Sequence, residues 1–236
     1  MNFLFTIIKA APSLFIIALL LSILSHLRNK STNSFEKSKR DFWEREQSAN
    51  AVRKKDISNL PYITVPPPIM ETARAHAASD STDPAKGEYV TALEKLSSQK
   101  ILNLNGKSNT DIKLEYGTAN ITALSEADTN YTELISIISR LGDSLYENGR
   151  YSEARKIFEY STDIESDVLK SYKTLLDIYE NTLSADDAKT ASDALREKAD
   201  KLESIRKSAI LALFDKEENT EDTAEDTDNK KQKRKG

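Results

Sequence analysis

Residues 135–202 repeat themselves at a fixed interval of 34 residues: Ile138 corresponds to Tyr172, Leu141 to Leu175, Leu145 to Tyr179 and Ala154 to Ala188. An interval of this length, carried by apolar and small residues, restricts the chain to consecutive helical hairpins that bury their faces against one another. In the first unit, 135–168, Ile138, Leu141 and Leu145 form one stripe of a helix, and Ile157 and Phe158 supply the facing stripe. Gly142 has no Cβ, so it lets the two helices of the hairpin approach closely, and Ala154 does the same from the other side. Gly149 ends the first helix, and Ser152 is the expected N-cap of the second. In the second unit, 169–202, Leu176 replaces Gly142 and Ser192 replaces Phe158. A leucine at the small-residue place is expected to push these two helices apart or shift their register.

Composition agrees with an all-α chain. Glycine and proline are scarce, at 6 each, while Lys, Glu, Asp, Ser, Ala and Leu are abundant. The chain has no cysteine, which excludes disulfide scaffolds, thiolate metal sites and cysteine nucleophiles. The net charge of -4 hides strong segregation along the chain, so it says little about partners.

The N-terminus carries an apolar run through residues 3–27, long enough for the roughly 20 residues that a bilayer-spanning helix needs. Its start has only Lys9, and its exit, Ser25 to Asn29, is a poor signal-peptidase site, so residues 1–28 read as an uncleaved single span. Arg28, Lys30, Lys37, Lys39 and Arg40 follow it. By the positive-inside rule the N-terminus faces out and the remainder is cytoplasmic. Residues 29–58 read as a charged juxtamembrane helix with Phe35, Phe42 and Ala49 at a spacing of seven and Trp43 beside Phe42. Two readings stay open for it. Arg28, Lys30, Phe42 and Trp43 meet the membrane interface, or the aromatics dock on the soluble domain. Self-pairing has too few heptads behind it.

Prolines 61, 66, 67 and 68 make residues 59–86 a linker that is extended at first and then Ala/Ser-rich. The helical domain is expected over 87–214. Its first helix carries Tyr89, Val90, Leu93 and Leu96. A second helix, capped by Thr110 or Asp111, continues through Ile121 and Leu124, and the repeat's first helix starts at Tyr131. A terminal helix, 203–214, places Ile205, Ala209, Ile210 and Leu213 inward. Residues 215–236 are acidic and then basic, without an apolar stripe, and read as a disordered tail.

No phosphate-binding glycine loop, nucleophile elbow or HExxH motif occurs. His26 and His76 have no second ligand at metal spacing. Asn120 and Asn130 fit the glycosylation pattern, but a predicted helix and a cytoplasmic domain argue against their use. No catalysis, cofactor, metal, small-molecule substrate or nucleic acid is expected.

The run Leu141-Gly142-Asp143-Ser144-Leu145-Tyr146, with Gly149 and then Ala154 and Phe158 in the next helix, resembles the tetratricopeptide repeat. The layout as a whole is similar to small single-pass bacterial membrane proteins with tetratricopeptide-like domains. The resemblance implies protein binding on a concave face lined by the first helix of each hairpin. By position that face presents Ser136, Ser139, Asp143, Tyr146 and Glu147, then Lys170, Lys173, Asp177, Glu180 and Asn181. The family's peptide clamp holds a C-terminal carboxylate with Lys and Asn. Lys173 fits one such place, but Asp143 and Asp177 stand where Asn is wanted. Two aspartates repel a carboxylate, so a ligand with basic residues is expected. Alternatively the protein's own residues 60–68 fill this face. The expected function is a membrane-anchored adaptor for a protein partner. The alternative is an accessory subunit of a membrane complex, bound through its span.

Overall fold

A computed structural model of the chain describes residues 19–24, 35–79 and 83–215. Among them the protein is all-helical, with one isolated antiparallel bridge, Ile63 to Ile101, and no strand. A short helical stretch, 19–24, precedes α1 (35–50), α2 (Pro67–Ser79), α3 (Pro84–Ser97), α4 (Asn109–Tyr116), α5 (Ile121–Glu147), α6 (Tyr151–Asp163), α7 (Leu169–Thr182), α8 (Ala185–Asp200) and α9 (207–215). The chain falls into two compact units: Met1–Lys54 with Asn109–Thr118, and Lys55–Ser108 with Ala119–Gly236.

In the larger unit α5 is the longest helix, at 27 residues. It begins at Ile121 and not at Tyr131, because Leu124, Ala127, Tyr131, Leu134, Ile138, Leu141 and Leu145 form one unbroken buried stripe. The segment after α3 covers the N-terminal half of that stripe. Ile101, Leu102 and Leu104 are buried there. Leu102 N donates to the Ala127 carbonyl (3.1 Å), Leu104 N to Asp128 Oδ1 (3.1 Å) and Asn130 Nδ2 to the Lys100 carbonyl (2.9 Å). The expected helix running from Thr110 through Ile121 is broken at Gly117, whose φ is +86°.

The most extensive interface is α5 on α6. Gly142 sits directly beneath the Phe158 ring, and a Cβ at 142 would lie 2.7 Å from two of its atoms. Phe158 is itself only 1% exposed, so the ring has nowhere to move. Helix α6 starts one residue before Ser152, with Arg150 at the N-cap position and Ser152 inside the first turn.

Residues 59–86, expected as a linker, contain α2. Its Ile69, Met70, Ala73 and His76 are buried. Helix α2 touches α3 and α6, and α3 touches α5, so α2, α3, α5 and α6 close into a ring of four. The preceding extended residues bind to this ring. Ile63 N donates to the Ile101 carbonyl (2.8 Å), and the Tyr160 hydroxyl on α6 donates to the Thr64 carbonyl (3.1 Å).

Helices α7 and α8 form the next hairpin, and both contact α6. Ser184 caps α8 by accepting from Asp187 N (3.2 Å), a contact its sequence anticipates. Leu176 is buried in the core, and α8 buries only Leu195 and Ala199. Leu202, Ile210 and Phe214 cover the end of the array. Ile205, expected inward, is 99% exposed. It lies in the turn before α9, where Ser204 Oγ donates to Asp167 (2.5 Å) and accepts from Arg206 N (3.1 Å).

In the smaller unit α4 packs on the C-terminal half of α1. Ala49 is completely buried. Arg45 pairs with Asp111 (2.5 Å), and Glu46 takes Lys113 (2.9 Å) and the Thr110 hydroxyl. These hydrogen bonds, Thr110 first and then Lys113, hold the Glu46 carboxyl below the usual carboxylate range.

Among the described residues no helix is long and apolar enough to cross a membrane. The expected span lies outside the described residues except for 19–24, where Leu19 to Leu21, Ile23 and Leu24 are exposed. Arg28, Lys30 and the expected tail from 216 onward also lie outside them.

Gly142→Ala should destabilise the larger unit by about 1–3 kcal/mol through overpacking against Phe158. It does so even though alanine favours an exposed helix over glycine by about 1 kcal/mol. Urea midpoints check this, and Phe158→Leu in the same chain should recover part of the loss.

Candidate partner-binding face

Helices α5 and α7 are joined by two side-chain bridges. Lys170 Nζ donates to Asp143 Oδ2 at 2.7 Å, and the Tyr146 hydroxyl donates to Asp177. Earlier residues meet earlier ones and later meet later, so the two helices run in the same direction. Asn181 Nδ2 donates to the Asp177 carbonyl (2.8 Å) and to its Oδ1 (3.2 Å). The Tyr151 ring stands edge-on to Tyr146, with centroids 5.3 Å apart. The hydrogen bond to Asp177 raises the Tyr146 phenol above its ordinary pKa.

The residues expected to bind a partner therefore divide into two kinds. Asp143, Tyr146 and Asp177 are half-buried and engaged with one another's helices. Within the protein Lys170 pairs with Asp143, while Asp177 keeps its charge and takes hydrogen bonds from the neutral Tyr146 and Asn181. Lys173 and Glu180 are exposed and carry no partner among the described residues. They lie on α7 about 10 Å apart along its axis. The Ser139 hydroxyl is buried and has no hydrogen-bond partner among the described residues, so it is not offered to a ligand.

Beside α6, α7 and α8 lies an open cleft of about 500 Å³ lined by Arg155, Glu159, Tyr179, Leu195 and Lys198. Three of its charged side chains are paired within the protein: Arg155 with Glu159 (2.7 Å), which also accepts from the Tyr179 hydroxyl (3.1 Å), and Lys198 with Asp163 (2.6 Å).

Sequence reasoning left His76 in a linker, but the fold places it in the core. Its Nε2 is 2.9 Å from Ser144 Oγ, its Nδ1 is 3.1 Å from Arg150 Nη1, and its ring stacks on Tyr89. A guanidinium only donates, so Nδ1 must accept. The proton then sits on Nε2 and points at Ser144. That tautomer is the wrong one for a base that would take the serine proton, and Arg150 opposes the imidazolium that base catalysis would form. Arg150 is in turn gripped by both carboxylate oxygens of Glu153. The Ser–His pair is thus built to hold α2 on α5, and no signal in the sequence joins residues 76, 144 and 150.

Burial pushes the His76 pKa down, and Lys86 and Arg150 push the same way against weaker opposition from Glu153 and Asp83. The two glycosylation-pattern asparagines are buried, with Asn120 donating to the Lys55 carbonyl (2.8 Å) and Asn130 to that of Lys100. Among the described residues no group of three His, Asp or Glu is placed to hold a metal ion.

Because folding lowers the His76 pKa, its contribution is full above the unfolded pKa of about 6.5. It is lost as pH falls below that value, where the unfolded chain takes up a proton more readily than the folded one. The urea midpoint should therefore drop between pH 7 and pH 5 in the parent, and drop less in His76→Gln. No protein family, curated protein or solved structure matches this chain.

Proposed function

We propose that this protein is a membrane-anchored, non-catalytic adaptor that gathers a protein partner on the face shared by α5 and α7. The observation that carries the reading is the division of that face. Asp143, Tyr146 and Asp177 fix the two helices side by side, and Lys173 and Glu180 are exposed on α7 without partners among the described residues. A frame that presents an exposed cation and an exposed anion on one helix suits a peptide that presents an acid to one and a base to the other. The repeat's resemblance to tetratricopeptide hairpins supports the same face. The apolar run 3–27 and its basic flank supply the anchor, and tethering raises the local concentration of whatever is bound.

A photo-crosslinker placed at Lys173 or at Glu180 in cells should trap a partner, while one at the exposed Lys156 on α6 should not. Equal trapping at all three positions rejects the face.

The second reading, an accessory subunit held through its span, is favoured by the exposure of Leu19 to Leu24. Replacing residues 3–27 with an unrelated span separates the two. Trapping at Lys173 survives the exchange if the helical face binds, and disappears if the span does.

A further inference from the structure

Helix α1 is twice the length of the helix that covers it. Phe35, Phe42, Glu46 and Ala49 fall on one stripe at helical spacing, with Trp43 on its flank. Helix α4 takes the far end of this stripe, where Ala49 is buried and Glu46 is held by Thr110 and Lys113. The near end is bare: Phe35 is 67% exposed, Phe42 55% and Trp43 61%. Phe42 and Trp43 touch each other edge-on, with centroids 5.6 Å apart, and form one apolar wedge.

We infer that the N-terminal half of α1 lies in the interfacial zone of a lipid bilayer, seated there by Phe35, Phe42 and Trp43. The inference rests on the reading of residues 3–27 as a membrane anchor. Leu19 to Leu24 form an exposed apolar helical stretch in the same unit. Ten residues lie between Leu24 and Phe35, a reach of roughly 40 Å at full extension, so a bilayer that holds the run is within reach of the wedge. Tryptophan beside phenylalanine on an otherwise polar helix is the composition that settles at headgroup level.

Charge complementarity is not the driving force. Over residues 35–44, Lys37, Lys39 and Arg40 are matched in number by Glu36, Asp41 and Glu44. Seating should therefore persist on zwitterionic lipid and at high salt. A second copy of the chain is the weaker occupant. The seven-residue spacing runs from Phe35 through Phe42 to Ala49, and α4 already covers Ala49. Two open positions are too few for a coiled-coil seam.

Trp43 is the only tryptophan, so the intrinsic emission of the full chain reports this site directly. The full chain is reconstituted into phosphatidylcholine vesicles, floated on a gradient, and read with and without lipid brominated high on its acyl chains. The expected result is co-flotation, a blue-shifted emission, quenching by the brominated lipid and shielding from aqueous acrylamide, all unchanged by salt. Phe35→Ser with Phe42→Ser should still float, since neither residue belongs to the anchor or to the α1–α4 contact, but should lose the quenching and the blue shift.

Flotation without quenching, with acrylamide access as in water, overturns the seating and leaves the anchor standing. Failure to float overturns the anchor and the seating together. A blue shift that grows with protein density and ignores brominated lipid assigns the wedge to a second copy and overturns the inference. So does a double-serine variant that is quenched as strongly as the parent.

Discussion

The larger unit depends on how deeply α6 seats on α5, and that depth is set by the absence of a single carbon. Phe158 fills the space a Cβ at residue 142 would occupy. Helix α6 also touches α2, α7 and α8, so its distance from α5 is transmitted to every neighbour. Close-packed interiors do not absorb such a change locally. The second hairpin lacks this device. Leu176 occupies the place that corresponds to Gly142, Ser192 the place that corresponds to Phe158, and α8 buries only two side chains. Its outer face is closed by Leu202, Ile210 and Phe214, which supply the apolar area that α8 does not.

An array of hairpins exposes an apolar face at each end unless something covers it. At the C-terminal end α9 does so. At the other end α2 turns back onto α6 and closes a ring, which an open stack would not do. Closing the ring buries an imidazole, and an imidazole buried without partners would cost about 1–3 kcal/mol or more. Both its nitrogens are met, one by Ser144 and one by Arg150, and Arg150 is steadied by Glu153. The contact that completes the ring therefore adds a buried polar anchor, specific in register, to the apolar packing of Ile69, Met70 and Ala73.

Helices α5 to α8 were legible because their buried positions recur at 34 residues, and periodicity is what a sequence displays most openly. Helix α2 was hidden by its own start. Pro66, Pro67 and Pro68 read as an extended segment, yet proline is well suited to the first turn of a helix, where its missing N–H is not needed. The break at Gly117 was hidden for another reason, since apolar residues continue on both sides of it and a single glycine does not by itself end a helix. Ile205 continued a stripe too, but Ser204 captures Asp167 and starts the helix later. At the candidate face, position within the repeat placed Asp143, Tyr146, Lys173, Asp177 and Glu180 on α5 and α7. Which of them would be engaged internally was not legible, because Lys170 and Tyr146 reach across between helices and no spacing rule encodes such pairs.

The smaller unit carries the clearest mismatch between what the chain supplies and what it covers. Helix α4 has 8 residues and extends about 12 Å, so it can shield only two turns of α1. Which two turns is decided by Glu46. Its carboxylate needs Thr110 and Lys113 to be half-buried at acceptable cost, so α4 is drawn to that point and held there. Gly117 then turns the chain away at a φ of +86°, where a side chain would collide with the Arg53 carbonyl. Both ends of α4 are thus fixed, and it cannot slide toward Phe42. The bare aromatic half of α1 is a consequence of that fixed register: the protein holds its own covering helix away from the residues that most need one.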